Sequence, residues 1–185
     1  MIKKLLLLPT VALLLFITAC TAGAQDKNTK LIFIRHGEKP DDGDNLSCKG
    51  LNRALKLPEV LKAKFGIPDR IYVPALHLGK STPRGRMFQT ASPFAVKYNL
   101  PINSDFEEED AKDLAADLEG KKGTSLIVWE HNNIKPILKA LGITVKGINW
   151  PDEDFDTIWV VTYKKGKPVL TIDKEGIVPA GNCSF

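Results

Sequence analysis

Residues 31–38 read Leu31-Ile32-Phe33-Ile34-Arg35-His36-Gly37-Glu38. Four consecutive apolar residues form a strand buried on both faces, the pattern of a parallel sheet covered on each side. Open α/β sheets bind ligands beyond the carboxyl ends of their strands, which is where Arg35, His36 and Gly37 fall. Arginine grips phosphate oxygens in pairs and stabilises charge on a transferring group. A neutral imidazole is a competent nucleophile toward phosphorus, and glycine lets the backbone approach an anion closely. An arbitrary Arg-His pair would be a solvated surface pair; this one ends a buried strand and precedes a glycine.

Outward from this point the chain alternates strand-like and helix-like segments. Leu51, Leu55, Val60, Leu61 and Phe65 recur at helical spacing, with Pro58 expected to kink or divide the helix and Gly66 to end it. Arg70-Ile71-Tyr72-Val73 is a second strand. After a Gly/Ser/Pro-containing loop to Gly85, a helix is expected over Arg86 to Tyr98, weakened at Pro93. Pro101-Ile102-Asn103 is extended. Glu107 to Leu118 reads as a helix with an acidic start, suited to the helix dipole. Ser125 to Trp129 is another buried strand, Ile134 to Leu141 another helix, and Trp129 and Trp159 are core. Thr157 to Tyr163 and Pro168 to Ile172 flank Lys164-Lys165-Gly166-Lys167 as a β-hairpin. This alternation predicts a single α/β domain over residues 30–185, a three-layer sandwich with a mainly parallel central sheet and a C-terminal β-hairpin.

Glu130-His131-Asn132-Asn133 follows the Trp129 strand, so two of the three histidines lie at the ends of buried strands; His77 follows another. Here a family resemblance enters. Arg35-His36-Gly37-Glu38 resembles the RHG motif of the histidine phosphatase superfamily, which includes phosphoglycerate mutases and acid phosphatases. Leu46-Ser47-Cys48-Lys49-Gly50-Leu51-Asn52-Arg53-Ala54 is similar to that superfamily's L-T-x-x-G-x-x-Q-A segment, and Arg86-Met87-Phe88-Gln89-Thr90-Ala91 to its R-A-x-Q-T-A segment. Val128-Trp129-Glu130-His131 corresponds to the strand and second histidine. Each segment alone is weak; four in register from residue 31 to 131 are specific.

The resemblance implies a phosphoglycerate mutase-like fold and a phosphatase acting on phosphomonoesters or phosphoryl groups through a phosphohistidine on His36. Arg35, Arg86 and His131 would bind the phosphoryl oxygens in place of a metal or cofactor. Phe106-Glu107-Glu108 resembles the context of the mutase branch's proton donor, which nominates Glu108, with Glu107 second. The glycine-rich continuation is missing, and Glu107 to Asp110 read equally as a solvated helix start. The acid phosphatase branch has an aspartate after the second histidine. Asn132 stands there, and an amide cannot serve as the acid. A donor-free site would suit phosphohistidine or acyl phosphates, whose leaving groups need no proton. The rival reading is a catalytically weak module that binds phosphate or phosphopolymers through the same residues; a structural lipoprotein on this fold would show no anion affinity.

The first residues stand apart from the domain. Lys3 and Lys4 precede a short apolar run from Leu5 to Phe16, the pattern of a signal peptide over residues 1–19 and too short to span a bilayer. Ile17-Thr18-Ala19-Cys20 resembles a bacterial lipobox, which makes Cys20 the expected lipidation site. A flexible tether would follow over residues 20–29, on an exported periplasmic or cell-envelope lipoprotein held at a membrane surface. Cleavage after Ala24 is the alternative and would release a soluble protein. Removing Lys3 and Lys4, with no acidic residue before Asp26, lowers the formal charge from +4 to +2. No basic stripe remains, which excludes nucleic acid as an expected partner and leaves a small phosphorylated substrate or a phosphoprotein. Cys48 and Cys183 form either a disulfide or two separate buried thiols, and no metal-ligand spacing is present. His77, Lys80 and Arg84 either line the substrate mouth or, as the favoured reading, are solvated loop charges. Substrate specificity is expected in loops 76–85 and 144–156.

Overall fold

The computed structural model describes residues 28–77, 84–183 and 185. The leader, Cys20, the tether up to residue 27, and Lys80 lie outside the described residues. Ten elements follow in chain order: β1 (Lys30–Arg35), α1 (Cys48–Phe65), β2 (Arg70–Tyr72), α2 (Gly85–Tyr98), β3 (Ile102–Asn103), α3 (Ala111–Leu118), β4 (Thr124–Trp129), α4 (His131–Ala140), β5 (Thr157–Lys164) and β6 (Lys167–Lys174). The strands form one sheet in the order β3-β2-β4-β1-β5-β6. The first four run parallel, and β5 and β6 join antiparallel.

Alternate residues of the central strands enter two cores, as the period of two along a strand requires. Leu31, Phe33, Ile127, Trp129, Trp159 and Val161 pack against Leu114 and Leu118 of α3 and Ile134, Ile137 and Leu138 of α4. Ile32, Ile34, Leu126, Val128, Ile158 and Val160 pack against Leu57 and Leu61 of α1 and Met87, Ala91 and Phe94 of α2. The three-layer sandwich is thus closed on both faces. The hairpin turns at Lys165 (φ 51°) and Gly166 (φ 74°), two successive left-handed residues that match the twist of the flanking strands.

Four expectations are refined. α1 runs undivided through Pro58, because Ala54, Leu57 and Leu61 bury its inner face on both sides of the proline. α3 begins at Ala111 rather than Glu107: the Asp110 carboxylate accepts the Glu107 N–H at 2.9 Å, folding residues 107–110 into a turn. Thr29, assigned to the tether, is buried and its hydroxyl donates to the Lys121 carbonyl. Cys48 and Cys183 are joined as a disulfide, their Cα atoms 4.9 Å apart, which ties the C-terminal tail to the first residue of α1.

Two features of this fold make the site. β1 and β4 are adjacent and parallel, with Arg35 in register with Trp129, and the His36 N–H continues the ladder to the Trp129 carbonyl. Their carboxyl ends therefore bring His36, Glu130 and His131 together. Because β5 runs antiparallel to β1, it starts at that same end, so the segment 150–156 leading into it closes one side of the site.

Candidate active site

A cavity of about 780 Å³ opens at the carboxyl ends of β1 and β4. Arg35, His36, Arg86, Glu130 and His131 line it, together with Lys39, Lys49, Asp152, Glu153 and Phe155. Four of these residues, Arg35, His36, Arg86 and His131, are those that the sequence nominated as the phosphoryl site, and the fold collects them around one space.

His36 is 4% exposed. Its Nδ1 lies 2.7 Å from the Gly37 carbonyl, and a carbonyl only accepts, so Nδ1 carries the proton and Nε2 keeps the lone pair. Burial, with the neighbouring charges of Arg35, Arg86 and His131, lowers the His36 pKa to about 4. The ring is therefore a neutral Nδ1–H tautomer at physiological pH, the form in which Nε2 can attack. NMR titration of the imidazole nitrogens is expected to show that tautomer from neutral pH down to about pH 5, with protonation near pH 4. A midpoint near the ordinary 6.5 would contradict the assignment. Between pH 6.5 and about 4 the unfolded chain binds the extra proton, so this group's contribution to stability falls as pH falls through that window.

The loop bearing His36 is held from two sides. The Thr90 hydroxyl accepts the Gly37 N–H at 2.9 Å and donates to the Arg86 carbonyl. Gln89 bonds Leu46 and Asn45, and Arg86 Nη1 reaches the Gly43 carbonyl, so one face of α2 organises the loop. On the α1 side, Ser47 caps the helix and its hydroxyl donates to the Glu38 carbonyl. Gly37 and Gly50 are steric necessities: a Cβ on Gly50 would sit 2.2 Å from the Glu38 carbonyl oxygen, and one on Gly37 2.7 Å from that of Gly50. Glu38 pairs in two-pronged fashion with Arg53 at 2.9 Å, and Arg53 reaches Glu175 at 2.6 Å, all buried. Against its burial, the bonds and charge of Arg53 hold the Glu38 carboxyl below its usual range.

Arg35 stacks on the Phe155 ring at 3.9 Å, and its Nη1 donates to the carbonyls of Asp152 (2.5 Å) and Asp154 (3.3 Å). His131 opens α4; its Nε2–H donates to the Asp152 carboxylate at 2.9 Å, and its Nδ1 lies beside the Glu130 carboxylate but out of hydrogen-bonding geometry. Among the described residues, three buried side-chain nitrogens lack a hydrogen-bond partner: Arg35 Nε, Arg86 Nε and His131 Nδ1. Buried donors are almost always satisfied. All three belong to residues that line one cavity, and the two guanidinium Nε–H groups, which only donate, mark a place for an acceptor-rich ligand.

Glu108 and Glu107 do not line this cavity. Glu108 accepts from Asn133 Nδ2 at 3.1 Å, lies 3.3 Å from Arg84 Nε and, chiefly through burial, has a raised pKa. Glu107 pairs with His77 and Arg84 on the surface. His77 and Arg84 thus both contact the Glu107 carboxylate rather than standing in water alone. Sequence reasoning passed over Glu130, Phe155 and Arg53, and gave Asp152 no more than a place in a surface loop near the site, within the expected specificity loop 144–156. Glu130 carried a usable signal, a carboxylate between a buried strand and a histidine; Asp152 and Phe155 were visible only as part of the loop before the hairpin. Among the described residues, no group of three or more His, Cys, Asp and Glu is placed to hold a metal ion.

No protein-family model matches the chain, and no curated protein matches its sequence. Solved structures share its fold at low identity. A protein of Agrobacterium tumefaciens assigned as the phosphohistidine phosphatase SixA is similar at TM-score 0.54 and 15% identity, over 82% of this chain and 99% of its own. A phosphoserine phosphatase variant from Entamoeba histolytica, solved with phosphoserine, is similar at 0.54 and 20%, over 80% and 97%. A protein of Escherichia coli assigned as an alpha-ribazole-5'-P phosphatase is similar at 0.58 and 14%, over 79% and 96%. The fold is the phosphoglycerate mutase-like α/β sandwich that the motif resemblance implied.

Proposed function

We propose that the chain is a phosphatase of the histidine phosphatase type, hydrolysing phosphorylated small molecules or phosphoproteins through a phosphohistidine on His36. The observation that carries this reading is the set of orphaned nitrogens of Arg35, Arg86 and His131 around a neutral, buried His36. His36 Nε2 attacks phosphorus, and the leaving group departs with the electrons of the P–O bond. Arg35 Nε, Arg86 Nε and His131 hold the three non-bridging oxygens as charge develops on them. Water then attacks the phosphohistidine and phosphate leaves. The two guanidinium groups do the work that a metal ion does elsewhere, so the reaction is metal-independent. The fold likeness to structures bearing phosphoserine and phosphohistidine phosphatase names supports the reaction class.

The location belongs to the same proposal. The signal-peptide pattern and the lipobox ending at Cys20 support an enzyme of a bacterial cell envelope, anchored by lipid, where it would meet phosphorylated envelope components.

The test is hydrolysis of p-nitrophenyl phosphate by the domain from Gln25 onward, from acidic to neutral pH with EDTA present. Turnover that survives the chelator is expected. Abolition by EDTA would contradict metal independence. Binding of inorganic phosphate without turnover of p-nitrophenyl phosphate, acetyl phosphate or phosphohistidine would favour a binding module instead.

A further inference from the structure

We infer that Glu130 is the acid that protonates the leaving group, in place of the carboxylates after β3 that the motif resemblance nominates. The inference rests on the phosphatase reading above. Five carboxylates line the cavity: Glu38, Asp41, Glu130, Asp152 and Glu153. Glu38 is committed to Arg53, which holds it ionised. Asp152 is committed to the His131 Nε2–H, its carboxyl held below the usual range by that bond. Asp41 and Glu153 are exposed, with no hydrogen bond that fixes them toward the reacting atoms.

Glu130 alone is both half-buried and anchored. Its backbone leaves β4 directly between Trp129 and His131. Its Oε2 accepts the Asn132 N–H at 2.6 Å as the cap of α4, which fixes the side chain at the cavity wall. Its Oε1 faces His131 Nδ1. The His131 Nε2–H is given to Asp152, which leaves the Glu130 carboxyl as the anchored group of the cavity wall that is free to carry a proton to the leaving oxygen.

The step balances. His36 Nε2 supplies the electron pair for the new P–N bond. The P–O ester bond breaks with its pair on the leaving oxygen, which takes the Glu130 proton and departs as an alcohol. Glu130, now a carboxylate, accepts a proton from the water that attacks phosphorus. The P–N bond breaks back onto Nε2, and phosphate leaves with Glu130 protonated again.

The test compares two probes on the full domain: p-nitrophenyl phosphate, whose leaving group needs no proton, and glycerol 2-phosphate, whose alkoxide does. Glu130→Gln keeps the helix-capping oxygen but cannot act as an acid. It is expected to lose about 10²–10⁴-fold in kcat/KM on glycerol 2-phosphate and roughly tenfold or less on p-nitrophenyl phosphate. Glu130→Ser, which retains a strong cap, should show the same split and serves if the glutamine variant does not fold. Added formate is expected to restore part of the glycerol 2-phosphate rate in the serine variant. Equal losses on both probes, no loss on either, or the selective loss appearing in Glu108→Gln instead would overturn the assignment while leaving the phosphatase reading intact. A native domain inactive on both probes would overturn that reading, and this one with it.

Discussion

His36→Ala is expected to lower turnover of any phosphomonoester by about 10⁴-fold or more, the scale on which loss of a covalent nucleophile acts. The orphaned nitrogens of Arg35, Arg86 and His131 remain in this variant, so inorganic phosphate and substrate should still bind within roughly tenfold of the native affinity. The two measurements belong together. Lost turnover with retained binding identifies His36 as a group that acts on the reacting atom. Lost binding as well would mean that His36 shapes the cavity and the chemistry lies elsewhere. Stopped-flow kinetics and isothermal titration on one preparation decide between them. Removing the ring leaves space next to Phe155, whose ring centroid stands 6.1 Å from that of His36, so the melting temperature should be checked first.

Arg53→Ala is expected to produce the largest loss of stability, about 3–5 kcal/mol, because it strands two buried carboxyls rather than removing one contact. Arg53 is 5% exposed and is the shared partner of Glu38 and Glu175. Glu175 already sits on the edge: burial raises its pKa, against the pull of Arg53, and the nearby charges of Asp156 and Glu38 add to the rise. Without the guanidinium both carboxyls would have folded pKa values above their unfolded ones. The folded state then binds the extra protons, so the variant should lose stability as pH rises above the ordinary carboxyl range and recover part of it toward pH 4. Thermal or urea unfolding at pH 4.5 and 8 reads this directly. A deficit that does not change with pH would mean that the cost is lost packing rather than unpaired charge. Because Glu38 follows Gly37, the same variant should also lose activity, through displacement of His36.

Much of this fold lay open in the sequence because its central strands are buried on both faces. Leu31 to Ile34 and Ser125 to Trp129 are short apolar runs with no helical period, and each ends in a histidine-bearing loop. The candidate phosphoryl-binding set came from those strand ends and, for Arg86, from the resemblance of Arg86-Met87-Phe88-Gln89-Thr90-Ala91 to the R-A-x-Q-T-A segment. What stayed hidden depends on contacts between distant residues. Arg53 stands where the resembling motif has glutamine, and its partner Glu175 is 122 positions away, so no local pattern could join them. Pro58 signalled a break that buried neighbours on either side override. Glu107 to Asp110 looked like a helix start, whereas the Asp110 side chain takes the Glu107 N–H and the glutamates turn to Arg84. Loop 144–156 is legible as a specificity loop, but the way its residues 150–156 enter the site is not: it depends on β5 running antiparallel to β1 and on the Trp150 indole N–H holding the Asp154 carbonyl at 2.8 Å. Sheet order is a global property, and the side chains of that loop do not announce it.

The proposed chemistry turns on a covalent bond between phosphorus and His36 Nε2, and trapping it is the most direct measurement. The domain would be mixed with phosphorylated substrate in the presence of EDTA, quenched in alkali within the first turnover, and digested for mass spectrometry. The expected result is one phosphoryl group on the peptide containing His36, stable to alkali, released by acid, and absent from His36→Ala. Turnover with the label on another residue, or with no covalent label at single-turnover times, would contradict the mechanism.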